Sequence, residues 1–406
     1  MLSLARPPRR RGRTASYTHT LPEPSGNVQR PVTSIVRNLA SVFLLVLAST
    51  ACERKPVPTP RLSGVTAIAA GTAHTCAIAN GTAHCWGRDQ WGQASGEVEP
   101  DPDRTRTVPR ARPLPSQGPV DTLHAGDLLS CAGKAGEVRC WGRIDLTVGP
   151  DSTPRLRGAR HVALHHTQAC AELADAGVSC RGYGDVGDGR ACSSGCDWHP
   201  IRPPISGVRA LASGGAVVSG TRCAIDATGA ILCWGALPWR DHRWCPPEPV
   251  TGIDDASEVV VGLDHACALR RNEVWCWGDD EFGQLGERAN GDALAAKVIG
   301  LPPIDRIAAS TTESCGRAVD GRLFCWGTSS GNDLVKPNRK PTVRSTPAPV
   351  VTIVGGEAHM CALLATSEVW CWGANGYGQL GDPASKESGF VAVERQRSPS
   401  GNVTGR

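Results

Sequence analysis

The stretch Cys76-Ala-Ile-Ala-Asn80-Gly81-Thr-Ala-His-Cys85-Trp86-Gly87 decides the fold. Asn-Gly between runs of small and apolar residues is the strongest two-residue signal for a β-hairpin turn. Centring the turn on Asn80-Gly81 pairs Ala79 with Thr82 and sets Cys76 opposite Cys85. Counting outward, this is a non-hydrogen-bonded pair, where Cα atoms approach to about 4.5 Å. A disulfide spans that separation.

The same word recurs along the chain. It reads Cys131–Cys140-Trp141, Cys223–Cys233-Trp234, Cys267–Cys276-Trp277, Cys315–Cys325-Trp326 and Cys361–Cys371-Trp372, each followed by Gly. A seventh copy, Cys170–Cys180, carries Arg181 in place of Trp. Successive second cysteines lie 55, 40, 53, 43, 49 and 46 residues apart. Seven copies at that period fit propeller blades and exceed most helical repeats. Ala135-Gly136 and Arg271-Asn272 repeat the two-residue turn. Four copies hold one more residue between the cysteines, with Gly177, Gly229, Gly321 or Ser367 where a three-residue loop needs left-handed backbone. The extra residue is absorbed in the turn, so all seven copies predict the same cross-strand pairing.

The residue after the first Cys is Ala77, Ala132, Ala171, Ala224, Ala268, Ala362 or Gly316. It faces a mostly larger residue across the hairpin, which suits sheets packed on both faces. The Trp of each Trp-Gly reads as blade-to-blade packing. A β-rich run precedes each hairpin: Val65–Ala70, Val120–Leu123, Val162–Leu164, Val208–Ala212, Val259–Val261, Ile304–Ala308 and Val350–Val354. Gly-rich turns follow, clearest as Gly283-Gln-Leu-Gly286 and Gly378-Gln-Leu-Gly381.

These words resemble the regulator of chromosome condensation repeat, most closely over Gly262–Gly286 and Gly356–Gly381. The resemblance covers about residues 62–396 and implies an all-β, seven-bladed propeller of four-stranded blades. Tryptophan–aspartate repeats would show Trp-Asp at these places, and none of the copies does. The trailing run Phe390–Val393 is expected to complete the first blade and close the ring.

The chain holds 18 Cys and 12 Trp but only 4 Phe and 3 Tyr in 406 residues, a usage foreign to an ordinary cytosolic enzyme. Residues 1–51 carry seven Arg and one Glu, which leaves 36 basic and 38 acidic residues in 52–406. The apparent net charge of +4 belongs to the leader, and the body has no footprint for nucleic acid. Leu39–Ala51 is an apolar run too short to span a bilayer. Basic residues followed by such a run and by small residues make a secretory signal. Ser49-Thr-Ala-Cys52 resembles the bacterial lipoprotein box, with Ser49 where Leu, Val or Ile is usual. The expectation is a leader over 1–51, with translation starting as late as Val32 or Val36, lipidation at Cys52, and a Pro-rich tether over 52–61. A disordered tail over 397–406 completes the domain plan.

No HExxH, phosphate loop or dinucleotide fingerprint is present. Gly327-Thr-Ser-Ser-Gly331 matches a nucleophile elbow but follows a hairpin instead of joining strand to helix. No catalytic residue, metal or cofactor is assigned. His74, His265 and His359, each two before a first Cys, read as structural hydrogen-bonding groups inside the repeat. Besides Cys52, three cysteines stand outside the pattern: Cys192, Cys196 and Cys245. Cys192 and Cys245 each follow a second Cys by twelve residues, which puts both on one rim in two neighbouring loops. With His199 and His242 they could hold zinc, and in an oxidising compartment a disulfide is the stronger reading. Trp198, Trp239, Trp244, Arg240 and Arg243 share these segments, and Trp and Arg anchor protein interfaces. The functional expectation is an exported, lipid-anchored monomer at the cell envelope or surface that binds a protein partner through rim loops. An inhibitor of an extracellular enzyme and an enzyme working in the channel are the alternatives.

Overall fold

A computed structural model describes residues 61–97, 106–143, 155–166, 168–173, 177–185, 191–201, 204–216, 219–240, 243–288, 294–328, 338–385 and 390–396. The chain divides into a unit of residues 1–56, which lies outside them, and a unit of residues 57–406 that holds the propeller. The leader, Cys52, the tail over 397–406 and most of the tether therefore fall outside the described residues.

Among the described residues there are seven four-stranded antiparallel sheets. From the inner to the outer strand, blade 1 is Val65–Ala70, His74–Ala79, Thr82–Arg88 and Thr107–Pro113. Blade 2 is Thr122–Ala125, Leu129–Lys134, Glu137–Gly142 and Arg155–Arg157. Blade 3 is Val162–His165, Gln168–Leu173, Gly177–Asp185 and Ala191–Pro200. Blade 4 is Ala210–Ala216, Ser219–Ile225, Ile231–Leu237 and Arg243–Pro249. Blade 5 is Glu258–Val261, His265–Arg270, Glu273–Gly278 and Ala296–Lys297. Blade 6 is Ile304–Ala309, Glu313–Ala318, Leu323–Gly327 and Thr342–Arg344. Blade 7 is Val350–Gly355, His359–Leu364, Val369–Gly373 and Val391–Ala392. Each inner strand touches the next blade's inner strand, and the seventh touches the first, so the ring closes.

The hairpin register follows the sequence. Ala79 pairs with Thr82 and Cys76 with Cys85. The seven hairpin disulfides among the described residues join the predicted partners, with Cα atoms 3.9–4.1 Å apart and sequence separations of 9 or 10. The turn residues adopt the left-handed backbone the loops require: Asn80 and Gly81 in the short turn, Gly177, Gly229 and Gly321 in the longer one. Ser367 takes the same conformation at φ 60° despite its Cβ.

The core is divided among the blade interfaces. The Trp of each Trp-Gly is 0–5% exposed, and the small residues beside the first cysteines are buried with them. Buried apolar clusters each span adjoining blades, for example blades 4 and 5 around Trp277 and blades 6 and 7 around Trp372.

Ring closure differs from the sequence expectation. Val391–Ala392 pairs with Val369–Gly373 and completes blade 7, not blade 1. The residues just beyond it form the latch. Val393 accepts a hydrogen bond from the Leu62 amide, Glu394 accepts one from the Ala111 amide, and Gln396 donates to the Ala111 carbonyl, each at 2.9 Å. The spacing of the last blade leaves this strand within reach of its own hairpin, so local pairing wins over the longer return. The Val393 and Glu394 amides also bond inside blade 7, at 2.9 and 3.0 Å. Deleting residues 390–406 removes these five backbone bonds, worth about 1 kcal/mol each. The melting temperature is expected to fall by roughly 10 °C; an unchanged melt in calorimetry would show that the latch carries no stability.

Candidate functional site

The repeat's polar residues meet between blades. The side chain of Gln379 accepts from the Tyr377 amide, and Asn375 accepts from the Leu380 amide, so both hold their own Gly-Gln-Leu-Gly turn in shape. The fold leaves the Gln379 carbonyl aimed at blade 1. It accepts from Trp86 Nε1 at 2.8 Å and from Thr75 Oγ1 at 3.3 Å. Gln93 receives Trp141 and Ser130 in the same way, and Gln284 receives Trp326 and Ser314. The hydroxyl in each cluster also lies 2.7–2.8 Å from a histidine Nε2 of the preceding blade: His359, His74 or His265. Each hydroxyl gives its proton to the Gln carbonyl, so the histidine Nε2–H must be the donor to it. The hydrogen bond expected inside the repeat is thus a bond between repeats.

Burial holds His74 and His265 down to about 4 and His359 to about 3. Their Nδ1 atoms have no acceptor to receive a second proton's bond. At the interface of blades 6 and 7, Glu313 stands where those blades have His. It accepts from Trp372 Nε1 at 2.9 Å and pairs with Arg344 at 2.7 Å. Glu313 also sits beside Cys315 and Cys325, but those sulfurs are bonded to each other.

The segments read as rim loops are outer strands. Trp198, His199, Cys192 and Cys196 lie on the outer strand of blade 3, and Arg243, Trp244 and Cys245 on that of blade 4. Cys196 faces Gly182 and Cys245 faces Gly235, so Cys196 is the register equivalent of Cys245. Counting from the second Cys had chosen Cys192, which faces Gly184; the longer connection in blade 3 breaks that count. Trp239 sits in a short 3-10 turn and packs edge-on against Trp277 at 6.0 Å. It therefore helps bury the interface of blades 4 and 5, and substituting it is expected to disturb the fold. Arg240 is exposed and pairs with Glu248 at 3.2 Å. His242 and residues 329–331 of the Gly-x-Ser-x-Gly match lie outside the described residues.

A site that the sequence reading missed lies at the channel mouth. The last residues of the seven inner strands and those just after them line one cavity of about 100 Å³. Thr72, Asp127, His166, Thr311 and Glu357 all stand four residues before a first Cys, which puts them on one ring. Aligning the copies on that position would have gathered them, but no local motif marks it. Asp127 Oδ2 lies 2.5 Å from His166 Nδ1, and His166 holds a left-handed φ of 44°. Arg88 sits 3.5 Å from Asp127 Oδ1, bonds Gln90, and lies over Tyr377, which is 41% exposed. Burial opposes ionisation of Asp127, but the His166 hydrogen bond and the nearby cations outweigh it and hold the carboxyl below its usual range. Burial and the Asp127 charge raise Glu357. The glycines let the strand ends crowd: a Cβ on Gly71 would stand 1.8 Å from the Gly126 carbonyl.

Residues 256–284 and 350–379 match the family model of the Regulator of chromosome condensation (RCC1) repeat. The human probable E3 ubiquitin-protein ligase HERC4 is 32% identical over 151 residues, covering 33% of this chain and 14% of that protein. Human HERC6, also named a probable E3 ubiquitin-protein ligase, is 30% identical over 296 residues, 63% of this chain and 28% of that protein. The mouse secretion-regulating guanine nucleotide exchange factor is 26% identical over 209 residues, 41% of this chain and 45% of that protein. The chain thus spans under a third of the two HERC relatives. The crystal structure of human WBSCR16 shares the fold, with a TM-score of 0.59 at 17% identity over 74% of this chain and 87% of that one.

The buried histidines set a pH dependence. A histidine held below its unfolded value of 6.5 contributes stability above 6.5 and loses it as pH falls towards the folded value. His74, His124, His165 and His265 are held at about 4 and His359 at about 3, chiefly by burial. Glu258 works the other way: burial raises it to about 7, so its contribution is lost as pH rises from about 4.5. Burial raises Glu357 in the same direction, and five histidines outweigh these two carboxyls, so denaturation midpoints should fall as pH drops from 6.5 to 4. His265→Gln, which keeps a donor but cannot titrate, should flatten that fall; an equal slope in both proteins would remove the assignment.

Proposed function

We propose that this RCC1-type seven-bladed propeller is an exported, lipid-anchored binding module that holds a protein partner on its rim. Such a propeller is a protein-interaction scaffold, and the chemistry of this one fits that use. Its hydrogen-bonded polar groups are largely spent on joining blades, as the Gln carbonyls at three interfaces are. The observation that carries the rim reading is the pair of outer strands in blades 3 and 4. They run ten and seven residues, against seven in blade 1 and two or three in blades 2, 5, 6 and 7, and they are the pair that carries Trp. Their register places Trp198 and Trp244 on the outer edge of neighbouring blades. Trp at such a place is the residue type that dominates interface energetics. The second reading, inhibition of an extracellular enzyme, uses the same surface and differs only in the partner.

The anchor rests on the Ser49-Thr-Ala-Cys52 sequence, and the module faces its partner across the Pro-rich tether. Neither a ligase nor an exchange activity is proposed, because this chain spans only part of the proteins that carry those names.

Two outcomes are expected. Cells expressing the protein should incorporate labelled palmitate into it, and Cys52→Ala should abolish the label; equal labelling of both would remove the anchor. Cross-linking on intact cells should capture a partner that the Trp198→Ala/Trp244→Ala double variant recovers at least ten-fold less, with an unchanged melting temperature. Equal capture by the double variant would move the partner off this rim.

A further inference from the structure

Blade 2 gathers cations on a body whose charges are otherwise balanced. Its outer strand, Arg155–Arg157, is three residues long, and two of them are arginine. The register sets Arg155 opposite Arg139, Arg157 opposite Glu137, and Glu137 in turn opposite Lys134. Residues two apart in a strand share a face, as do residues directly opposite. Lys134, Arg139, Arg155 and Arg157 therefore belong to one face of the blade, with Val138 and Leu156 on the other. The Gly158 amide donates to the Gly136 carbonyl at 3.0 Å, which lays the loop carrying Arg160 beside the same hairpin turn. The Arg139 side chain is 50% exposed, and Lys134 and Arg160 are exposed. Two acids stand among these five cations: Glu137, 3.7 Å from Arg139, and Asp121, which accepts from the Ala135 amide. Asp145 and Asp151 lie outside the described residues, so the count is made without them. Like charges directly opposite each other cost a sheet stability, and blade 2 keeps such a pair in Arg139 and Arg155.

Blade 1 shows what such an outer edge takes. The Ala111 amide donates to the Glu394 carbonyl and the Gln396 amide donates to the Ala111 carbonyl, both at 2.9 Å. The Glu394 carboxylate meets Arg110 Nε at 2.7 Å. A short acidic segment of the chain thus lies along the outer strand of blade 1 in the place of a fifth strand. Its backbone bonds the edge and its carboxylate bonds an arginine of that edge. Blade 2 offers the same two partners. Among the described residues Arg155–Arg157 is the last strand of its sheet, and it brings arginine at alternate positions.

We propose that blade 2 binds an extended acidic segment of a partner protein, added as a fifth strand beside Arg155–Arg157, with carboxylates on alternate residues paired to Arg155 and Arg157. Alternate residues of a strand stand about 6.7 Å apart, so acids two apart match the two arginines in step. A guanidinium takes a carboxylate through two parallel N–H bonds. Main-chain bonds along the edge give an added strand its affinity, and side chains at alternate positions give it selectivity. Arg139, Lys134 and Arg160 supply the surrounding positive field. This surface is separate from the outer strands of blades 3 and 4, and the proposal stands whether or not those strands bind a partner.

The test is a fluorescence anisotropy titration of the purified protein against a labelled eight-residue peptide of alternating Glu and Thr. Saturable one-to-one binding is expected, weakening at least three-fold as salt rises from about 50 to about 200 mM. The Arg155→Glu/Arg157→Glu variant should bind this peptide at least ten-fold more weakly at an unchanged melting temperature, and should instead bind a peptide of alternating Lys and Thr. The Trp198→Ala/Trp244→Ala variant should keep the original affinity. A peptide of alternating Glu and Pro has the same charge but lacks half the main-chain donors, and should bind at least ten-fold more weakly. Absence of saturable binding overturns the proposal and leaves the arginines as guards of a sheet edge. Equal affinity of the charge-reversed variant overturns it too. Equal binding of the Glu and Pro peptide would remove the added strand, and tighter binding of a polyphosphate chain than of the acidic peptide would remove the protein partner.

Discussion

One main-chain carbonyl, that of the glutamine in the Gly-Gln turn, organises the interfaces where it occurs. At Gln93, Gln284 and Gln379 it receives an indole N–H and a hydroxyl from the next blade. The hydroxyl in turn receives the histidine of the glutamine's own blade. A buried polar group is normally paired, so the four groups support one another. Elsewhere the set is broken in different ways. Blades 4 and 5 keep the buried Trp234 and Trp277 without the histidine and hydroxyl, and among the described residues their Nε1 atoms have no partner. Blade 2 has Leu129 in the histidine place, and blade 3 then has Ala169 in the hydroxyl place and Arg181 in the Trp place. Blade 6 has Glu313, blade 7 answers with Met360, and the indole of Trp372 turns to the carboxylate.

The disulfides act on a different level. Each closes a loop of nine or ten residues inside one blade and so stiffens a hairpin. In the chain-entropy model, each contributes about 2–3 kcal/mol. None of the seven crosses between blades. Cohesion between blades comes from buried Trp, small residues and the carbonyl clusters, and closure of the ring from the short strip of chain around Val393.

The fold was legible because turn chemistry is local. Asn80-Gly81 fixes a register, and a register fixes which cysteines meet. The longer turns at Gly177, Gly229 and Gly321 could be read the same way. What failed were inferences across blades. Phe390–Val393 looked like the start of another blade, but its pairing depended on which neighbour lay nearer, which residue types do not tell. Cys192 looked equivalent to Cys245 until the irregular register of blade 3 intervened. Trp239 looked like an interface anchor because its contact with Trp277 joins residues far apart in the chain. The mouth was invisible for the same reason: Asp127, His166, Thr311 and Glu357 share a position in four different repeats and no word in common. Sequence shows what each repeat is, and the ring decides what the repeats do together.

The order of the cysteines has a consequence for biogenesis. Along the stapled part of the chain every cysteine bonds its nearest stapled neighbour, first with second, third with fourth, through to Cys361 with Cys371. A polypeptide that emerges amino end first presents each pair complete before the next one appears. Oxidation at the pace of emergence therefore yields the native set without shuffling, and no bond waits for a distant partner. The interruptions fall at Cys192 and Cys196, which emerge between the third and fourth pairs, and at Cys245, which emerges between the fourth and fifth.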